Sequence, residues 1–223
     1  MAETKSTKFN VQGINHLALV VSDLEKTNEF YQDILGLPLM RTAELPDGGQ
    51  QFFYQISDHS MISALWYPDA PKGEVGVVHG GWNGLDRETG QQQRRTTGGG
   101  SAHGSMHHVA FDIPLEKQEE YKERLRSFGV PVTEVNHHIL YGKDGKQVAY
   151  PYQIPEDAEA VDEFINSIYF PDPDGRTFEF AAYTRPLVPD DVKHTPSRAQ
   201  TREDEVEVAA RPVEHRRERA AGA

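Results

Sequence analysis

"HLALVVSDLEKTNEFYQDILG", residues 16–36, and "HVAFDIPLEKQEEYKERLRSFG", residues 108–129, are two copies of one pattern. Each starts with a histidine and an alternating apolar strand, passes through a short turn and opens a helix with Leu-Glu-Lys. The copies differ by one residue in the turn, and self-similarity at this spacing marks a repeated structural unit. In the first helix Phe30, Ile34 and Leu37 keep an i, i+4, i+7 stripe, and Tyr121, Leu125 and Phe128 keep it in the second. Each helix therefore has one apolar face to bury. Gly36 and Gly129 follow as C-terminal stops, because glycine takes the left-handed backbone that ends a helix.

Three strand-like segments come after each helix. In the first copy they are "PLMRTAEL", "QQFFYQIS" and "SMISALWY"; in the second they are "VPVTEVNHHIL", "INSIYF" and "RTFEFAAY". Each half reads βαβββ, and the last strands align so that Ser63 matches Glu179 and Tyr67 matches Tyr183. The expected fold is α+β, two paired βαβββ modules forming a curved mixed sheet around a cavity. Module one spans 13–69 and module two 106–184, in a single domain over 13–184. Outside this plan lie an N-terminal extension at 1–12, a Gly-, Gln- and Arg-rich inter-module loop at 70–105, an insertion at 142–163 and a charged tail at 185–223. The tail has few large apolar residues, which suits a flexible segment, a marginal helix or an oligomer contact.

Composition limits the partners. The 223 residues carry 23 Lys plus Arg against 35 Asp plus Glu, a net charge of −12, with no dense basic stripe before the tail. Nucleic acid is excluded as a partner for the body of the protein on this ground. The absence of cysteine removes disulfides and thiolate ligands and suits a reducing compartment. No run has the length of a membrane span and the N-terminus lacks the apolar segment of a signal peptide, so the expectation is a cytoplasmic protein without a membrane partner.

The chemistry gathers in "SIYFPDPDGRTFEF", residues 167–180. Asp-Pro-Asp-Gly supplies a fixed φ and then a residue free to take positive φ, so the stretch reads strand, tight turn, strand. Alternation puts Thr177, Glu179 and Ala181 on one face and Phe178, Phe180 and Ala182 on the other. A carboxylate between phenylalanines requires a partner or a metal. By the internal symmetry His16 and His108 start equivalent strands, and Glu179 lies in the last strand of module two. Modules paired around one cavity would bring two imidazoles and one carboxylate together, the facial triad suited to Fe(II), with Mn(II) as the alternative. His107 competes with His108 in "MHHVAF", and the repeat favours His108 because "HVAF" aligns with "HLAL".

On these residues the sequence resembles the vicinal oxygen chelate superfamily, and within it the type I extradiol ring-cleaving dioxygenases. "IYFPDPDGRTFE" fits the signature of apolar residue, Tyr, two residues, Asp-Pro-x-Gly, three residues, Glu. "MHHVAFDI" and "GINHLALVV" are similar to the strands that carry the histidine ligands, and "SDHSMISAL" to the strand with the acid/base histidine. The resemblance implies a metal site of His16, His108 and Glu179, catalytic roles for His59 and Tyr169, and a small aromatic diol and O₂ as substrates, with a homo-oligomer compatible with the fold. One signature histidine is missing from "EAVDEFINSIY", and His137 or His138 in "VNHHIL" stands in as its replacement, only one of them able to face the cavity. Two other activities fit the fold. A glyoxalase-type lyase or isomerase normally uses a fourth ligand where this chain has Ser63. A metal-free binder of flat ligands would use Trp66, Tyr67, Trp82 and Phe111.

Overall fold

The computed structural model describes residues 11–71, 106–141, 146–148 and 160–191. Most of the inter-module loop with Trp82, most of the 142–163 insertion and the tail beyond 191 lie outside the described residues. The chain divides into two units, Met1–Arg185 and Pro186–Ala223. In the second, the Val188 N–H donates to the Asp191 carboxylate across a short 3₁₀ turn.

Module one contains β1 (His16–Val20), α1 (Leu24–Asn28), β2 (Leu39–Glu44), β3 (Gln50–Ser57) and β4 (Ser60–Trp66). The strands form a mixed sheet of order β1-β4-β3-β2, with β1 parallel to β4 and the remaining pairs antiparallel. The Asp23 side chain caps α1 by accepting from the Lys26 N–H at 3.1 Å. Beyond Asn28 the helix widens into a π-helical segment, Glu29–Ile34, in which the Leu35 N–H donates to the Phe30 carbonyl. Gly36 ends it at φ +71°.

Module two repeats the plan with β5 (Val109–Asp112), α2 (Gln118–Ser127), β6 (Asn136–Tyr141), β8 (Ala160–Pro171) and β9 (Thr177–Tyr183). It adds a short β7 (Lys146–Val148), which makes the sheet order β5-β9-β8-β6-β7. β8 is longer than "INSIYF" suggests, because it extends back through Ala160 to pair with β6. Leu125 is buried as its stripe predicts, whereas Phe128 is exposed. The helix stops at Ser127 and Gly129 turns the chain at φ +74°, which carries Phe128 off the apolar face.

The paired modules are present, but they stay as two sheets. Tyr31 joins them: its ring meets Tyr54 of β3 at 5.0 Å and stacks on Phe178 of β9 at 6.0 Å. Phe30 reaches Phe170 of β8 at 6.5 Å. Tyr54 shares a face with Ile62 and Ala64, and Phe178 shares one with Phe170 and Ile168. All belong to one core with the first helix between the sheets. Burial of this kind pushes the Tyr54 phenol up to about 12 and raises Tyr31 further still.

The opposite faces of the two sheets, one with His16, Ala18 and Ser63, the other with Glu179 and Tyr169, point away from this core. A buried ionic staple holds the arrangement. The Arg176 guanidinium pairs with Asp172 at 2.6 Å and Asp174 at 3.1 Å and donates to the Val20 carbonyl of β1, while the Ser22 N–H donates to Asp174. The Asp172–Gly175 turn is thereby tied to module one as well as closing β8 onto β9.

Candidate metal centre

The sheet register explains why module two can hold a reactive cluster. Glu179 in β9 lies opposite Ala110 of β5 and opposite Tyr169 of β8, so one line across three strands runs through the carboxylate. Ser167, two residues before Tyr169, shares that face, and β6 adds His138 opposite Ile165. His108 stands just before β5 at the open edge.

Glu179 is only 4% exposed, and its Oε2 lies 2.9 Å from His108 Nε2. Burial pushes the Glu179 carboxyl up, but the His108 hydrogen bond, with Ser167 and Tyr169 nearby, more than reverses this and holds it below the ordinary value of 4.5. The Ser167 hydroxyl is itself buried and makes no hydrogen bond of its own among the described residues. His107 is exposed and packs edge-on to His108, their Nδ1 atoms 2.7 Å apart. One of these nitrogens carries the hydrogen and the other accepts it, so the tautomers of the two imidazoles are coupled. Tyr169 brings its hydroxyl to 3.4 Å from His138 Nε2, and its ring lies 6.0 Å from that of His108. Burial holds the His138 imidazole below its ordinary 6.5; Glu179 pulls it up, while His108 and His137 push it down.

The structure thus brings together His108, Glu179 and Tyr169. It does not bring His16 or His59 to them. His16 is exposed on β1, with Nδ1 2.8 Å from the Asn15 side-chain oxygen and its ring edge-on to Phe53. His59 is exposed in the two-residue turn between β3 and β4. Among the described residues no group of three His, Asp or Glu side chains is arranged to hold a metal. Between the two candidates in "VNHHIL", His138 faces Tyr169, whereas His137 pairs with Glu163 at 2.6 Å. Ser167 was legible from the period-two pattern of "SIYF" but has no chemistry that singles it out in sequence. Ser63, aligned with Glu179, is fully buried and accepts from the Gln51 amide at 2.8 Å.

The donor set fits a divalent cation. A buried carboxylate and an imidazole nitrogen already converge, no Lys or Arg is paired with Glu179 among the described residues, and an unsatisfied hydroxyl stands beside them. Two βαβββ modules with histidine and carboxylate on a sheet face define a class of metal-centred proteins. A family model described as the Glyoxalase/Bleomycin resistance protein/Dioxygenase superfamily matches residues 13–180, and the chain belongs to that superfamily. Fosfomycin resistance protein FosX of Listeria monocytogenes is 25% identical over 78% of this chain and 92% of its own. Mitochondrial methylmalonyl-CoA epimerase of Mus musculus is 25% identical over 71% of this chain and 75% of its own. A crystal structure of FosX from Listeria monocytogenes, complexed with Mn(II) and sulfate, aligns over 77% of this chain and 93% of its own, with a TM-score of 0.41 and 22% identity.

No helix among the described residues is long and apolar enough to cross a membrane.

Proposed function

We propose that the chain is a divalent-metal enzyme that grips a small substrate through two neighbouring oxygens, and that its reaction is O₂-dependent cleavage of a catechol-type ring. The observation that carries this reading is the cross-strand pair Tyr169 and Glu179, on one face with His108 Nε2 2.9 Å from the carboxylate. A signature phenol and a signature carboxylate thereby face the same point. Fe(II) or Mn(II) held there would supply a lowered substrate-hydroxyl pKa and a common shell for substrate and O₂.

His108 and Glu179 are the ligands from module two. For His108 Nε2 to present its lone pair, its Nδ1–H must donate to His107, which the 2.7 Å contact allows. Tyr169 donates its phenolic hydrogen to a substrate oxygen as charge develops there. The third ligand is His16, which forms no metal-holding group with His108 and Glu179 within one chain among the described residues. A second copy of the chain would supply it by laying its module-one face over the module-two face of the first. His59 stands in the turn just before β4, two residues from Met61, the cross-strand neighbour of His16, so the acid/base histidine would arrive with the ligand. The active form on this reading is a homodimer with two composite sites.

A second reading, favoured by the 25% likeness to FosX and to methylmalonyl-CoA epimerase, keeps the metal and the chelated substrate but uses no O₂. Anaerobic loading with Fe(II), then exposure to O₂ with a panel of catechols, separates the two. Oxygen uptake with a yellow ring-opened product, lost in His108→Ala and Glu179→Ala, is the expected result. Metal-loaded protein that consumes no oxygen with any catechol overturns ring cleavage, and turnover of fosfomycin or methylmalonyl-CoA would then establish the second reading.

A further inference from the structure

We propose that the cleft between the π-helical segment of module one and α2 of module two is a second ligand site, which takes a small apolar carboxylate of about a dozen heavy atoms. The cavity there measures about 320 Å³ and draws Ile34, Leu35 and Ile56 from module one and Phe111, Leu125 and Phe180 from module two. Phe111 and Phe180 are cross-strand partners, as Ala110 and Glu179 are, and alternation sends the two pairs to opposite faces of the sheet. The cavity is therefore separate from the candidate metal centre and stands independently of the metal reading.

Its walls are apolar. Phe180 meets Phe111 at 6.1 Å and Tyr121 at 5.9 Å, edge-on in both cases, and Ile34, Leu35 and Ile56 are only partly buried against the core. A cavity of about 150 Å³ lined by such groups stays dry and holds a benzene ring, so about twice that volume accommodates about twelve heavy atoms. The module-one wall is the end of the π-helical segment, where the Leu35 N–H donates to the Phe30 carbonyl and the Leu37 N–H to the Tyr31 carbonyl. Such turns are rare and are found frequently at functional sites.

Arg124 supplies the charge that orients the ligand. Tyr121, Arg124 and Leu125 stand at i, i+3 and i+4 on α2 and line the cavity together. The neighbouring cations are satisfied: Lys117 pairs with Glu120, Lys122 with Glu119 and Glu134, and Arg126 with Glu123 and Glu134. Arg124 is exposed and makes no ion pair among the described residues. Asp112 also borders the cavity, but it follows Phe111 in β5, so its carboxylate belongs to the opposite face of the sheet. An apolar body with one carboxylate suits both the walls and the guanidinium, whose planar fork matches a carboxylate.

The test titrates full-length protein by calorimetry with two acids, octanoate and 2-naphthoate, and with their uncharged amides. Saturable one-to-one binding of at least one acid is expected, and the tighter of the two identifies a chain or a ring as the apolar body. That acid should bind about tenfold more tightly than its amide, and Arg124→Gln should weaken the acid about tenfold while moving the amide by less than about twofold, the size of one charge-assisted hydrogen bond. Ile56→Trp, which fills the cavity, should abolish binding of both, with the urea midpoint showing that the variant is folded. Absence of saturable binding by either acid overturns the site, as does an equal loss of acid and amide in Arg124→Gln, or undiminished binding in folded Ile56→Trp. Affinity that requires added Mn(II) places the acid at the metal centre and overturns the site as well.

Discussion

Ser63 and Glu179 occupy equivalent places in the last strands of the two modules, and both are buried. Around Ser63 the sheet closes on itself: Gln51 donates to its hydroxyl, and Phe53 lies opposite it in β3. Around Glu179 the sheet stays chemically unfinished, with a histidine at 2.9 Å and an unsatisfied serine hydroxyl nearby. The same backbone framework therefore carries a satisfied polar pair in one half and a reactive carboxylate in the other. A duplicated scaffold needs only one of its two equivalent positions to specialise.

The sharpest way to break that contrast is to neutralise each position. Glu179→Gln is expected to lower Mn(II) affinity by at least about 100-fold, more than the loss of an outer-shell partner usually costs. Ser63→Ala should leave Mn(II) affinity within about twofold and reduce stability by about 1 kcal/mol through the lost Gln51 bond. Isothermal titration with Mn(II) and urea denaturation measure the two effects. Equal loss of metal in both variants would make the modules chemically alike and remove the distinction.

The next largest effect concerns the staple between the modules. Arg176→Met leaves Asp172 buried without its guanidinium, and a loss of about 3–5 kcal/mol is expected, read from the urea midpoint. A loss below about 1 kcal/mol would mean that the aromatic contacts of Tyr31 hold the sheets together unaided.

The smallest effect compares the helices. α1 is locked by the buried aromatics that follow it, whereas α2 is also pinned by Lys122 and Arg126, both bonded to Glu134 beyond the helix. The Lys122 and Arg126 hydrogen bonds hold the Glu134 carboxyl below its ordinary 4.5. A carboxylate depressed in the folded state stabilises above its unfolded pKa, and that contribution vanishes as pH falls through the folded pKa. Glu134→Gln is expected to cost no more than about 0.5 kcal/mol at pH 7, because the group is largely exposed. The difference from wild type should close below pH 4.5, as followed by urea denaturation across pH.

How far the sequence could be read depends on which kind of order a residue obeys. The repeat of His16 and His108 and the glycines at 36 and 129 follow from local periodicity, and the modules appear where that periodicity puts them. Tyr169 and Glu179 were legible for the same reason, since a tight turn and period two are enough to set them opposite each other. The place of His16 relative to them was not. Both strand faces show the same alternation, and nothing local says that Tyr54 and Phe178 are the pair that meets around a helix. His138 was undecidable against His137 until the pairing of β6 with β8 set its side. Phe128 kept helical spacing but fell just past the last turn, where spacing no longer governs direction.

A site shared between two copies has a consequence in genetic terms. On the two-copy reading a chain that lacks His16 still carries an intact module-two half-site, and one that lacks Glu179 still carries an intact module-one face. Each variant alone builds no complete site. Mixed and allowed to exchange partners, the two would pair so that one composite site per heterodimer is whole, and random pairing would return about a quarter of wild-type activity. Two loss-of-function alleles of a single gene would complement each other.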